Sequence, residues 1–155
     1  MRLYLVRHGE AEPEHVNPER PLTQKGKEGV VQVAEFLREL GIRVPIIWHS
    51  VKKRAEETAR IIAETASPNA ELTRRKNLSP NDPVNGIREE IERQRLDLMI
   101  VGHLPFLPAL AVDLLGVEAP AELLRLPEAG VVCLQRSGSK WQMVWMTSPE
   151  RLQNR

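Results

Sequence analysis

Three short polar stretches in this 155-residue sequence each follow an apolar run, and together they hold side chains suited to phosphoryl chemistry. In "LYLVRHGEAEPE" (residues 3–14) the run Leu3–Val6 stops at Arg7-His8-Gly9. A second run ends at Trp48-His49-Ser50 with Arg54 shortly after it, and a third ends at Gly102-His103. Guanidinium forks match the oxygens of a doubly charged phosphate, N–H groups at a helix start add donors, and a neutral imidazole can act as nucleophile. Each piece alone also has a plain reading. Arg-His after a strand is commonly surface decoration, Arg54 could pair with Glu56 or Glu57, and His103 could satisfy loop carbonyls. His49 keeps such a reading, because nothing in its spacing separates it from a satisfied histidine beside a strand. The case for the others rests on whether the fold brings them together.

The elements that must do so are read from periodicity. Arg2–Val6 is short, β-rich and mostly apolar, as expected of a strand covered on both faces. Thr23 stands as the N-cap of a helix carrying Val30, Val33, Ala34, Leu37 and Leu40, closed by Gly41. Val44–Trp48 predicts a second strand, and Ser50 the cap of a second helix with Ala55, Thr58, Ala59, Ile62 and Ala66 inward, ended by Ser67-Pro68-Asn69. Glu71–Arg74 predicts an edge strand, and Asn81-Asp82-Pro83 an N-cap with proline at the first helical position, before the stripe Val84, Ile87 and Ile91. Leu98–Val101 is a fourth strand, and Leu107, Leu110, Ala111, Leu114 and Leu115 mark a helix closed by Gly116. Gly130–Gln135 and Trp141–Met146 flank Ser137-Gly138-Ser139 as a terminal hairpin. Alternating elements predict a three-layer α/β/α sandwich, residues 1–155 as one domain, with a mostly parallel central sheet and helices on both faces. Ligands in such folds bind beyond the carboxyl ends of the strands, so Arg7, His8, Arg54 and His103 should gather on one edge.

Composition narrows the function classes. Twenty-two Lys and Arg against 21 Asp and Glu give no global field to attract nucleic acid or an anionic membrane, so any anion site must be local. The one cysteine, Cys133, lies in an apolar stretch and reads as a core residue, with no intrachain disulfide or cysteine metal cluster to form. The sequence has no secretory leader pattern and no apolar run of membrane-spanning length, which makes a cytoplasmic protein the default expectation. No apolar interface stripe stands out, so a monomer is expected.

"RHGEA" at 7–11, "RPLTQKG" at 20–26, "SVKKRAEETA" at 50–59 and "VGHLP" at 101–105 resemble, in order and spacing, segments of the histidine phosphatase superfamily, also called phosphoglycerate mutase-like. Length and order are similar to its SixA-type branch, small bacterial phosphohistidine phosphatases. The resemblance implies that His8 is the nucleophile that becomes phosphorylated, that Arg7 and Arg54 clamp the phosphoryl oxygens, and that His103 completes the pocket. It also implies an open pocket, without the helical insert that covers the site in larger relatives. Gly9 is expected to let the backbone pass close to the substrate. Arg20 could reach the pocket rim or pair with Glu19 or Glu14. Transfer to His8 and then to water is a ping-pong reaction that requires no metal or other cofactor, since arginines supply the positive charge.

Branches of the superfamily that act on phosphomonoesters carry an acidic residue to protonate the leaving alcohol. Here His103 is followed by Leu104, and the mutase-type segments are missing. Glu10 and Asp82 are the carboxylates to weigh for that role, the former as a loop carboxylate and the latter as a helix cap. A phosphohistidine leaving group relieves the need, because its P–N bond is labile. The expectation is therefore a phosphatase acting on phosphohistidine of a protein, a phosphorelay or phosphotransferase component. A small-molecule phosphomonoesterase and a non-catalytic phosphate-binding module are the alternatives.

Overall fold

A computed structural model describes residues 1–154, the side chain of Leu123 excepted. Among these residues one sheet contains β1 (Arg2–Arg7), β2 (Ile46–Ser50), β3 (Glu71–Arg75), β4 (Leu98–Gly102), β5 (Val131–Ser137) and β6 (Lys140–Thr147). Their order is β3-β2-β4-β1-β5-β6. The first four are mutually parallel, and the β5–β6 hairpin adds antiparallel pairing on the free edge of β1. The helices are α1 (Gln24–Glu39), α2 (Lys53–Ala66), α3 (Asn85–Arg93), α4 (Phe106–Leu115) and α5 (Pro149–Gln153). This is the expected mostly parallel sheet with helices on both faces.

Side-chain alternation along the central strands sorts the core into two layers. Tyr4, Val6, Met99 and Val101 pack against α1 and α2, whereas Leu3, Leu5, Leu98 and Ile100 pack against α3 and α4. Cys133 lies in the first layer, fully buried. β1 and β4 are neighbours, yet the chain leaves β1 toward α1 on one face and leaves β4 toward α4 on the other. A crevice opens where such connections diverge. Arg7 and Gly102, paired in register, are the strand ends from which the two connections part.

Three local expectations need correction. The second strand runs two residues beyond Trp48, because His49 and Ser50 are buried, polar continuations of the ladder that an apolar pattern does not register. Its start moves correspondingly, since Val44 donates to the Ser67 side chain at 3.0 Å instead of to a neighbouring strand, and Pro45 has no N–H. Ser50 does not cap α2. Lys52 occupies that position without a side-chain bond. Asp82 likewise is not a helix cap: its Oδ2 accepts from the Ser79 N–H at 2.8 Å, closing a turn, and α3 starts at Asn85 after Val84. By contrast, Thr23 caps α1 as expected, accepting from the Gly26 N–H at 2.9 Å, and Gly41 and Gly116 carry the left-handed φ values that follow α1 and α4. The short α5, capped by Ser148, falls on no expected element. Among the described residues no helix is long and apolar enough to cross a membrane.

Candidate active site

His8 stands immediately beyond β1, held by its backbone on both sides. Its N–H donates to the Gly102 carbonyl at 3.0 Å, and its own carbonyl accepts from the Ala129 N–H at 3.0 Å. The ring is equally fixed. Nδ1 lies 2.6 Å from the Gly9 carbonyl oxygen, which can only accept, so Nδ1 carries the proton and Nε2 keeps a lone pair. His103, just past β4, brings its ring to a centroid distance of 5.1 Å from that of His8, tilted by 54°. The two histidines therefore meet across the crevice. His49 does not join them; its Nδ1 is satisfied by the Ser50 carbonyl at 2.9 Å, the plain reading.

Both catalytic-candidate arginines flank this pair. The Arg7 Nη1 donates to the Leu126 carbonyl at 3.2 Å, and its Nε, like that of Arg54, is buried without a hydrogen-bond partner in the protein. The carboxylates that might have neutralised Arg54 are engaged elsewhere: Glu56 pairs with Arg60 at 2.9 Å, and Glu57 accepts from the Leu22 N–H at 3.0 Å. Arg20 adopts a left-handed φ of 49° and donates from Nε to the Glu12 carbonyl at 3.0 Å. Glu19, one of its expected partners, pairs with Lys53 at 3.1 Å, and the Arg20 charge acts on His8, His103 and Arg54. Arg20 and Arg54 also line a polar trough of about 650 Å³ with Lys52 and Arg74. A larger, mostly apolar cavity of about 940 Å³ starts at Leu104 and holds none of these basic side chains, so its size is no guide to the chemistry.

Gly9 has a packing reason that the sequence did not show. A Cβ there would come within 2.8 Å of Val30 Cγ2 and 2.9 Å of the Gly26 carbonyl, so packing on α1 itself demands glycine. Its N–H donates to Thr58 Oγ1 at 3.1 Å, while that hydroxyl donates to the Arg54 carbonyl at 2.8 Å. Thr58 thus pins the loop after β1 onto α2. Sequence reasoning placed it only on the inner face of a helix and missed this role. Gly26 explains the "RPLTQKG" segment in the same way, since a Cβ on it would meet the Glu10 carbonyl at 2.1 Å. Glu10 is part of this junction, its Oε2 accepting from the Thr23 hydroxyl at 2.6 Å.

Burial is the main force on the imidazoles. It pulls the pKa of His8 down to about 4 and that of His103 to about 3, with Arg54 and Arg20 pushing both the same way. The two rings are neutral at pH 7. In the unfolded chain a histidine takes up its proton near 6.5, so between that value and about 4 the unfolded state binds more protons and stability rises with pH. The unfolding free energy from urea titrations should accordingly fall as the pH drops from 6.5 toward 4, by on the order of 3 kcal/mol for His8 alone. The fall should shrink in His8→Asn, and an identical pH dependence in that variant would refute the assignment.

Comparison with known proteins places this geometry. The structure of the protein histidine phosphatase SixA complexed with tungstate matches with a TM-score of 0.89 at 20% identity, over 98% of this chain and 99% of that one. A phosphoserine phosphatase mutant from Entamoeba histolytica in complex with phosphoserine matches with a TM-score of 0.77 at 15% identity, over 97% and 98%. Likeness at such identities defines the fold, which is the phosphoglycerate mutase-like α/β sandwich. An uncharacterized protein of Picosynechococcus sp. is 30% identical over 166 residues, spanning 98% of this chain and 99% of its own length. The sequence profile of the histidine phosphatase superfamily (branch 1) matches residues 3–79, the part that holds Arg7, His8, Arg20 and Arg54. The chain belongs to that superfamily and is a phosphatase that works through a histidine nucleophile.

Proposed function

We propose that residues 1–155 act as one monomeric, cytoplasmic phosphatase domain that removes phosphate from phosphohistidine on a protein, a phosphorelay or phosphotransferase component, with His8 as the nucleophile. The neutral Nε2 of His8 attacks phosphorus, the substrate P–N bond breaks, and its electron pair returns to the departing imidazole. Arg7 and Arg54 hold the phosphoryl oxygens, His103 donates to one of them, and Arg20 borders the entrance. The Gly9 carbonyl keeps the proton on Nδ1 throughout, so phospho-His8 is a phosphoimidazolium whose ring leaves as neutral imidazole. Water then attacks phosphorus, the P–Nε2 bond breaks, and the protons of water depart with inorganic phosphate.

The observation that carries the choice of substrate is the fate of the two candidate acids. The Glu10 carboxylate is taken by the hydroxyl that caps α1, and the Asp82 carboxylate closes a turn at Ser79. An alcohol leaving group needs a proton from the enzyme. Phosphohistidine brings its own, because its second ring nitrogen can carry the proton that lets the ring leave neutral. The likeness to the SixA structure supports the same reading. Purified protein offered a phosphohistidine protein and a panel of sugar, nucleotide and amino-acid phosphomonoesters should dephosphorylate the former faster. Turnover of monoesters without dephosphorylation of phosphohistidine would replace this reading with that of a small-molecule phosphomonoesterase.

A further inference from the structure

The side chain that holds the second histidine was assigned no chemistry by its position in the sequence. Ser50 is the last residue of β2, fully buried, and its Oγ lies 2.6 Å from Nε2 of His103, itself 1% exposed. The same Oγ accepts from the Lys52 N–H at 3.2 Å. On the other side of the ring question, Nδ1 of His103 is buried and without a partner in the protein.

We propose that Ser50 is a positioning residue for His103, its hydroxyl donating to Nε2 so that the proton resides on Nδ1, which supplies the N–H donor for the phosphoryl group. The hydrogen-bond inventory decides the direction. If Ser50 donates to Nε2, its hydroxyl gives one bond and accepts one, from Lys52, and both are accounted for. If instead Nε2 donated to Ser50, a lone pair on Nδ1 would face an incoming dianion, and the hydroxyl proton would need another acceptor. A buried N–H left without an acceptor costs stability, and it is tolerable where substrate oxygen completes it. The ring is also neutral, since burial and the Arg54, Lys52 and Arg20 charges hold its pKa far below 7. His103 then acts as a fixed dipole, not as an acid, in keeping with a substrate whose leaving group brings its own proton.

This inference rests on the reading that places His103 in the phosphoryl pocket, but its first test does not involve substrate. Two-bond ¹⁵N–¹H correlation spectra of the wild-type protein at pH 7 should show His103 with a protonated Nδ1 and an unprotonated Nε2. The opposite tautomer would overturn the proposal whatever the enzyme hydrolyses. Ser50→Ala should mix the tautomers and lower kcat by about tenfold to a hundredfold with little change in KM, and Ser50→Thr should restore both. In a His103→Ala background the Ser50→Ala change should cost nothing further; full additivity there would show that Ser50 acts by another route. Should His103→Ala alone leave turnover unchanged while the wild-type tautomer is as expected, the pocket reading fails and the Ser50–His103 bond stands only as structure, which also ends the positioning claim.

Discussion

Replacing His8 by Ala is expected to lower phosphohistidine phosphatase turnover by at least about ten-thousandfold, while inorganic phosphate still binds. The size follows from the covalent route. Without Nε2 the reaction loses its two-step path, and water must attack the substrate directly, with only the basic groups of the pocket to help. Binding should survive, because the anion is gripped by guanidinium and N–H donors that do not depend on the ring. His8→Asn is the companion variant, since it fills more of the buried site and separates loss of the nucleophile from collapse of the pocket. Turnover by release of phosphate, phosphate affinity by calorimetry and alkaline-quenched trapping of labelled phosphoprotein are the measurements. Wild-type protein should yield an acid-labile, alkali-stable label that neither variant gives. A variant with an unchanged rate would remove His8 from the mechanism.

The sequence made the ends of strands legible and the bonds between them mostly not. Arg7-His8, Arg54 and His103 could be placed on one edge because strand, helix and strand alternate and parallel connections send every carboxyl end the same way. Thr23 was legible as a cap because its chemistry is local, read over the three residues to Gly26. Ser50 was misplaced for the complementary reason. As a polar residue before a helix it fits a local cap, and only the neighbouring β4, 53 residues further on, offers it the better partner in His103. Thr58 and the glycines at 9 and 26 belong to the same class. Their roles are contacts between the loop after β1 and the helices α1 and α2, which no periodicity encodes. Asp82 before Pro83 fitted a cap pattern too, but its carboxylate turned back to Ser79.

Arg54→Ala should separate activity from stability more cleanly than any other change in the pocket. On activity, removal of one preorganised phosphoryl donor is expected to lower kcat/KM by about a hundredfold to a thousandfold. Arg54→Lys keeps the charge but not the planar fork, and should recover only part of that loss. On stability the direction is reversed. The Arg54 Nε is buried without a partner, Glu56 and Glu57 are engaged elsewhere, and burial together with the Arg20 charge already disfavours the guanidinium. The loop contact through Thr58 uses the Arg54 backbone carbonyl, so it is untouched by the substitution. Arg54→Ala should therefore raise or preserve the urea midpoint, as expected where a site is strained for function. Because the Arg54 charge also lowers the pKa of His8 and His103, its removal should shift the acid limb of their titration to higher pH. Kinetics on a phosphohistidine protein, urea midpoints at pH 7 and histidine titration by NMR test the three parts together. A destabilised variant with intact turnover would make Arg54 a structural residue, and the free Nε beside two neutral imidazoles would then need a different explanation.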